Sequence, residues 1–395
     1  MTIQPLSGIR VVDLTRVLSG PFATMLLADM GADVIKVETA QGDPVRQQGD
    51  VSRGLSWYFA AFNRNKRSIV LDLRKSAGRE ILETLLAEAD VLVENFRPGI
   101  LAEMGFTAAR LTELNPRLVV ASINGYGSTG PYVDRPAFDF IAQAMSGFMA
   151  TTGSPDGEPM RAAPPITDLI AGLYCAFGVV NALRARDLTG KGQRVEAAMV
   201  NGMVSMLAYL ASEYFSTGQE AERTGNDHPI ASPYGLFHAR DGAIAIAPAT
   251  PDILLKFMKE LGLADHLDRP DLKTPAQRRV ARPELNALVN AALGVESQDY
   301  WITRLNKAGV PAGKVLTIPE VFSDPQIAAQ DMAIDVEHPG RGTVRMVGFP
   351  VKLSDTPCIV RRPAPELGGH TDEVLAEIGL DASAIELLRS AKVVQ

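Results

Sequence analysis

The sequence predicts an α/β fold: a Rossmann-like, doubly wound sheet in a large domain, with a smaller α+β domain inserted into it. Three observations lead there. Short β-branched runs alternate with helical stretches through the first half of the chain, as repeated βα units require. After residue 215 the composition changes to a polar, turn-rich segment and then a hairpin pattern. The last segment, with one recognisable helix, cannot fold alone and therefore returns to the first domain. At 395 residues the chain exceeds what a single core comfortably fills. The predicted limits are 1–215 for the N-terminal part of the large domain, 216–324 for the small domain, and 325–395 for a linker and the returning C-terminal part.

Each element has a local reason. Gly8–Thr15 reads as a strand, Pro21–Met30 as a helix with proline near its first turn, and Asp33–Glu38 as the next strand, forming a βαβ unit. Ser68–Leu73 is a strand, Ser76–Glu88 a helix with Ile81, Leu82, Leu85 and Leu86 on one face, and Ala89–Glu94 another strand. Leu118–Ala121 is the strand that follows Asn115-Pro116. This repetition implies parallel strands covered by helices on both faces. Ile166–Leu183 reads as a long apolar helix, and after a turn at Gly190-Lys-Gly192 a second long helical stretch runs to about Tyr214. In the small domain Asp241-Gly242 reads as the turn of a hairpin within Tyr234–Pro248, and helical sequence follows to about residue 309. Strand-like segments at Ile334–Glu337 and Val344–Val347 precede a Pro-rich stretch at Arg362–Glu366 and a last helix from about Thr371. No fixed-period repeat is visible.

Composition narrows the function. The chain is 46% hydrophobic and 22% charged, an ordinary globular balance. A net charge of −7, with Arg64, Lys66 and Arg67 as the nearest approach to a basic block, argues against a nucleic-acid partner but leaves room for a small anionic ligand. Cys175 and Cys358 lie far apart, and the five histidines lack metal-ligand spacing, so neither a disulfide framework nor a protein-built metal site is expected. The N-terminus has no signal-peptide pattern, and no uncharged apolar run reaches the roughly 20 residues that cross a bilayer. A cytoplasmic protein with no membrane partner is the expectation.

Within Ile123–Tyr132, INGYGSTGPY, the residues Gly125, Gly127 and Gly130 have the G-x-G-x-x-G spacing of a dinucleotide-binding turn. Pyrophosphate binding also needs a helix starting at the third glycine. Here Pro131 and Pro136 follow, and the second disfavours helix at Arg135, so the glycines open a loop. A second mimic, the N-terminal βαβ unit ending in Glu38, has a single glycine in its turn. NAD or FAD binding is the weaker reading of both.

Pro164-Pro165-Ile-Thr-Asp168 starts a helix near Thr167 or Asp168. Taken alone, the segment favours Asp168 as an N-cap. The alternative is a carboxylate nucleophile, ionised at neutral pH without a partner base and suited to an activated acyl group such as a thioester. The mixed anhydride it would form demands a dry site, which apolar neighbours and the small Gly172 suit.

The chain resembles the class III coenzyme A transferases, the CaiB/BaiF family that includes formyl-CoA transferase and L-carnitine dehydratase. The resemblance rests on ordered blocks over nearly the whole chain. They include Gly8-Ile-Arg-Val-Val-Asp-Leu, Gly20-Pro-Phe, Leu27-Ala-Asp-Met-Gly-Ala-Asp-Val-Ile-Lys-Val-Glu38, Gly42-Asp43 with Arg46, and Asn63-Arg-Asn-Lys-Arg67. Further blocks are Glu94-Asn-Phe-Arg-Pro-Gly99, Ser122-Ile-Asn-Gly-Tyr-Gly127, Asp168-Leu-Ile-Ala-Gly172, Gly190-Lys-Gly-Gln193, Gly309-Val-Pro311 and Asp324-Pro-Gln326.

The resemblance implies a CoA-transferase that moves CoA from an acyl-CoA donor to a carboxylic acid, with CoA as substrate and no permanently bound cofactor. Asp168 falls on the family's nucleophile and Asp139 on an auxiliary acid. Val17 and Leu18 fall near the thioester; Arg46, Leu73, Arg74, Asn95, Phe96 and Met104 fall among the CoA contacts. Gly125, Tyr126 and Gly127 become a close-packed loop near the acyl site. An interlocked homodimer is implied as well. Leu18 in place of the formyl-CoA transferases' Gln, and no glycine-rich loop around Ser232–Pro248, argue against an oxalate-type substrate and for a bulkier or more apolar acyl group. The related α-methylacyl-CoA racemases need a His where this chain has Phe138, and phenylalanine exchanges no proton. Gly369 stands where the family has Glu in Gly-Glu-His-Thr. A racemase or epimerase and a non-catalytic CoA-binding homologue are the competing readings.

Overall fold

The structure, a computed structural model, describes residues 3–51 and 54–395. The chain divides into two compact units, one of Met1–Phe148, Ala162–Ala208 and Gln326–Gln395, the other of Met149–Arg161 and Tyr209–Pro325. From the N-terminus come β1 (Arg10–Asp13), α1 (Ser19–Asp29), β2 (Asp33–Glu38), α2 (Trp57–Asn63), β3 (Lys66–Val70), α3 (Ser76–Glu88), β4 (Val91–Glu94), α4 (Ile100–Glu103) and α5 (Ala108–Leu114). There follow β5 (Val119–Asn124), α6 (Asp139–Met145), α7 (Phe148–Thr151), α8 (Ile166–Thr189), β6 (Arg194–Ala198) and α9 (Met199–Ser205).

The six strands form one parallel sheet in the order β3-β2-β1-β4-β5-β6. The strand order reverses between β1 and β4, the topological switch point at which such sheets open a crevice beyond the strands' C-terminal ends. Alternation along each strand feeds two cores. Val11, Val34, Val91, Val93 and Val119 pack against Ala23 and Leu27 of α1 and Ala171, Cys175 and Val179 of α8. Val12, Ile35, Ile69 and Leu92 face the other way, onto Ile81, Leu82, Leu85 and Leu86 of α3. α8 is also the one described helix long and apolar enough to cross a membrane, though charged residues keep its uncharged run below that length; in this fold it covers the sheet beside α1.

The stretch after Gly192, read as helix, begins instead as β6. Arg194-Val-Glu-Ala-Ala has helix-compatible residues, but β5 presents an unpaired edge and takes Arg194–Ala198 in register with Val120–Asn124. Tertiary pairing overrides local propensity there.

The second unit holds α10 (Ala208–Thr217, from Tyr209), β7 (Gly235–Ala239), β8 (Gly242–Ile246), α11 (Pro251–Glu260), α12 (Pro275–Val280), α13 (Arg282–Leu293), α14 (Gln298–Lys307), β9 (Ala312–Lys314) and α15 (Ile318–Ser323). Its antiparallel sheet, β7-β8-β9, covers a core of Phe237, Ile244, Phe257, Val289, Leu293 and Trp301. The hairpin closes on the pair Ala239 and Gly242, so Arg240-Asp241 form the turn, one residue earlier than read. β9 is too short to show a period.

Then come α16 (Pro325–Ala329), the hairpin β10 (Ala333–His338) and β11 (Gly342–Val347), α17 (Thr371–Glu377) and α18 (Ala382–Ser390). The single last helix of the sequence reading is thus two, the second opened by the Asp381 side chain, which accepts the Ala384 N–H. Val374, Leu375, Ile385, Val393 and Val394 complete the core beside α3.

Candidate active site

Asp168 lies in the first turn of α8, which begins at Ile166 with Pro165 preceding it and no side-chain cap from that residue. The cap comes from elsewhere. Asp139, the first residue of α6, accepts the Thr167 N–H at 3.0 Å and the Thr167 hydroxyl at 2.9 Å with one carboxylate oxygen. Its other oxygen accepts from Gln143 at 2.7 Å. Asp139 therefore performs the capping that the sequence offered to Asp168, and the Asp168 carboxylate is left for other work. Burial, then the charge of Asp139, push Asp168 up to about 7, with the polar Ser19 side chain opposing the shift. The ordinary carboxylate range assumed from sequence does not hold. A more basic carboxylate is a better nucleophile, still largely ionised above neutrality.

Ser19 opens α1, and Gly172 allows its approach. A Cβ on Gly172 would sit 2.6 Å from the Ser19 carbonyl oxygen and 2.9 Å from the Phe22 ring, so only glycine lets α8 pack this closely on α1. Tyr58, half-buried on α2, shares this neighbourhood. Burial first, then the charges of Asp168, Asp43 and Asp139, push its phenol up to about 12, which keeps it a neutral donor.

A cleft of about 1500 Å³ opens past the C-terminal ends of β1, β2, β3 and β4. Leu14, Thr15 and Arg16 line it after β1, Leu73 and Arg74 after β3, and Phe96 and Met104 after β4. Lys75, Arg79, Arg389 and Lys392 add positive charge to its walls. It exceeds the roughly 300–1,000 Å³ of an ordinary small-molecule site. An apolar floor with basic walls suits a long ligand that carries both a flat base and phosphates. The loop that lines the cleft at Thr15 and Arg16 continues through Val17 and Leu18 to Ser19, and so to Asp168.

The profile of CoA-transferase family III matches residues 6–371. This chain belongs to that family. The class III CoA-transferase is 37% identical over 382 residues to a succinate–glutarate CoA-transferase of Agrobacterium fabrum, covering 95% of this chain and 96% of the relative. It is 38% identical over 366 residues to an acetyl-CoA:oxalate CoA-transferase of Acetobacter aceti, covering 92% and 93%. A crystal structure of a CaiB/BaiF family protein from Brucella suis superposes with a TM-score of 0.84 at 38% identity, covering 96% of this chain and all of that one. Its six-stranded parallel sheet and separate small antiparallel sheet thus match known members.

In this CoA-transferase the residues expected at the CoA site fall into two groups. Leu73, Arg74, Phe96 and Met104 line the cleft, with the Arg74 guanidinium resting on Asp72 at 2.8 Å. Arg46, Asn95, Val17 and Leu18 do not line it. Arg46 makes a bidentate pair with Glu38 at 2.8 and 2.6 Å, donates to the Pro365 carbonyl and lies 3.7 Å over the Phe59 ring, so its donors are used inside the fold. The Asn95 amide is bound to the Arg16 backbone, and Leu18 is buried at the start of α1.

The glycine loop behaves as its prolines dictate. No helix starts at Gly130; the chain stays in turns until α6. Asn124 accepts the Gly127 N–H, and Glu196 holds Asn124 and Ser128 at 2.9 and 2.7 Å. Tyr126 stacks edge-on against Tyr132. The loop ends at Asp139, which ties it to the start of α8. The sequence reading missed Tyr58 and Ser19, because neither belongs to a chemical motif and each comes into the neighbourhood of Asp168 only through packing.

Proposed function

We propose that this enzyme moves CoA between carboxylic acids through covalent intermediates on Asp168. The carboxylate attacks the donor thioester carbonyl, the C–S bond breaks, and CoA leaves as its thiolate, with an Asp168 mixed anhydride remaining. The thiolate then attacks the aspartyl carbonyl, which releases the donor acid and forms an aspartyl-CoA thioester. The acceptor carboxylate attacks that thioester, forming a second anhydride and again expelling the thiolate. The thiolate finally attacks the acceptor acyl carbon, giving the new acyl-CoA and restoring Asp168. The carrying observation is the Asp168 carboxylate itself: relieved of capping by Asp139, raised to about 7, and set where the cleft-lining loop enters α1. The N-terminal turns of α1 and α8 converge there and can stabilise the oxyanion at the attacked carbonyl.

The relatives' names make succinate, glutarate and oxalate, with their thioesters, the first donor and acceptor panel, followed by more apolar acyl groups. Phe138 beside Asp139 supports transfer over racemisation, since it supplies no second proton carrier. A homodimer belongs to this reading. Leu173, Tyr174, Phe177 and Val180 leave a row of large apolar side chains exposed on α8, the kind of face a second subunit covers. The test is hydroxylamine trapping during turnover with the thioester panel, read by peptide mass. A hydroxamate at Asp168 that disappears in Asp168→Ala is the expected result. Transfer activity surviving in Asp168→Ala overturns the mechanism.

A further inference from the structure

Val17 has φ +69°, the left-handed region, although it is β-branched and followed by no glycine until Gly20. For such a residue this conformation is strained and persists only where its surroundings impose it. The surroundings are side chains from two other strands' ends. Both Asp43 carboxylate oxygens accept the Val17 N–H, at 3.1 and 3.2 Å. The Asn95 side chain holds the preceding residue on both sides, accepting from Arg16 N–H at 3.0 Å and donating to its carbonyl at 2.8 Å. Asp43 is itself fixed: its backbone N–H is bound to Glu38, and its carboxylate pairs with the fully buried Lys36 at 3.0 Å. The same Lys36 ammonium donates to the Thr15 carbonyl at 2.8 Å.

Two residues after Val17, the Ser19 carbonyl packs against Gly172, one helical turn beyond Asp168 on the same face of α8. The strain is thus located between the cleft wall and the proposed nucleophile, and nothing in the local sequence favours it. We infer that Asp43 and Asn95 are positioning residues of the transfer reaction, which force Val17 into the left-handed conformation and so set the start of α1 against Asp168. This rests on the reading of Asp168 as nucleophile. It gives the Asn95 side chain a role on the loop backbone.

The inference has a rescue test. Glycine adopts φ +69° without the clamp, whereas valine in that conformation is disfavoured enough to change a population by about 5- to 30-fold. Asp43→Ala is expected to lower kcat by about tenfold or more, with the KM for acyl-CoA kept within about twofold; adding Val17→Gly should restore at least about fivefold of kcat. Asn95→Ala leaves the Lys36–Asp43 pair intact, so it serves if Asp43→Ala does not fold, and Val17→Gly should rescue it in the same way. Hydroxamate formation at Asp168 should follow kcat through the series. A loss carried by KM, or a Val17→Gly change that lowers kcat further in both backgrounds, overturns the inference. If the parent enzyme forms no Asp168 adduct, the nucleophile reading fails first; an adduct in the parent without rescue in the variants overturns the clamp alone.

Discussion

Two loops leave the C-terminal edge of the same sheet, and they obtain their left-handed residues by opposite means. The loop after β5 uses Gly127 and Gly130, at φ +98° and +97°, where glycine has no steric penalty. The loop after β1 uses Val17, held there by Asp43 and Asn95. The first matches a famous spacing and ends on Asp139, which caps α8. The second matches no spacing and leads to Asp168. The loop that is easy to form ends on the cap of α8, and the loop that must be forced leads into the helix packed against α8 at Gly172.

Asp168→Ala should reduce CoA transfer by at least ~10⁴-fold while CoA still binds in equilibrium dialysis, since the cleft-lining residues are untouched. Binding lost together with activity would mean that the cleft and Asp168 are not separate features.

Next comes the packing that joins the strained loop to α8. Gly172→Ala places a methyl group where the Ser19 carbonyl stands, so it should cost about 1–3 kcal/mol in denaturant unfolding and depress kcat as α1 is pushed away. An unchanged midpoint would show the helices free to separate.

The glycine loop's contribution through Asp139 is electrostatic and appears in the pH profile. With Asp168 at about 7 and active when ionised, kcat/KM should rise with pH through about 7 and then level off. Asp139→Asn removes a like charge, so the rise should move to lower pH; a shift upward would contradict the assigned cause. Stability should mirror this. The folded-state value of Asp168 lies above the ordinary 3.8, so its contribution is fully present below about 4 and lost as pH rises through 7. Asp168→Asn should accordingly raise Tm most at pH 8 and little near pH 4, as differential scanning would record.

The smallest effect belongs to the glycine loop itself. Gly127→Ala should destabilise by about 1–2 kcal/mol, measured in urea, with a smaller loss of kcat than Asp43→Ala. A large rise in the KM for acyl-CoA would instead restore a phosphate-binding role to the glycines.

Much of the fold was legible because it is written in short periods. The runs at Val11-Val12, Val34-Ile35 and Val91–Val93, and the apolar face of α3, have the spacing of buried strands and an amphipathic helix whatever surrounds them. β6 was not legible, since Arg194–Ala198 becomes a strand only because β5 has an open edge. β9 and the break between α17 and α18 were missed for related reasons, one too short and the other a local turn in helix-forming sequence. At the site, Asp168 was visible as a residue but ambiguous between cap and nucleophile. In the structure the cap is made by Asp139, 28 residues from Thr167.

Local residue order alone set the βα alternation, the failure of the glycine motif to open a helix, and the family. Each depends on neighbouring residues or on ordered blocks that survive being read in one dimension. Folding in three dimensions assigned Arg46 to Glu38 and Asn95 to the Arg16 backbone, and neither pairing is visible in one dimension. It alone brought Tyr58 near Asp168 and raised that carboxylate to about 7. Those outcomes depend on strand order and burial. Asp43 reaches Val17 across 26 residues and Asn95 reaches Arg16 across 79, because β2 and β4 lie on either side of β1.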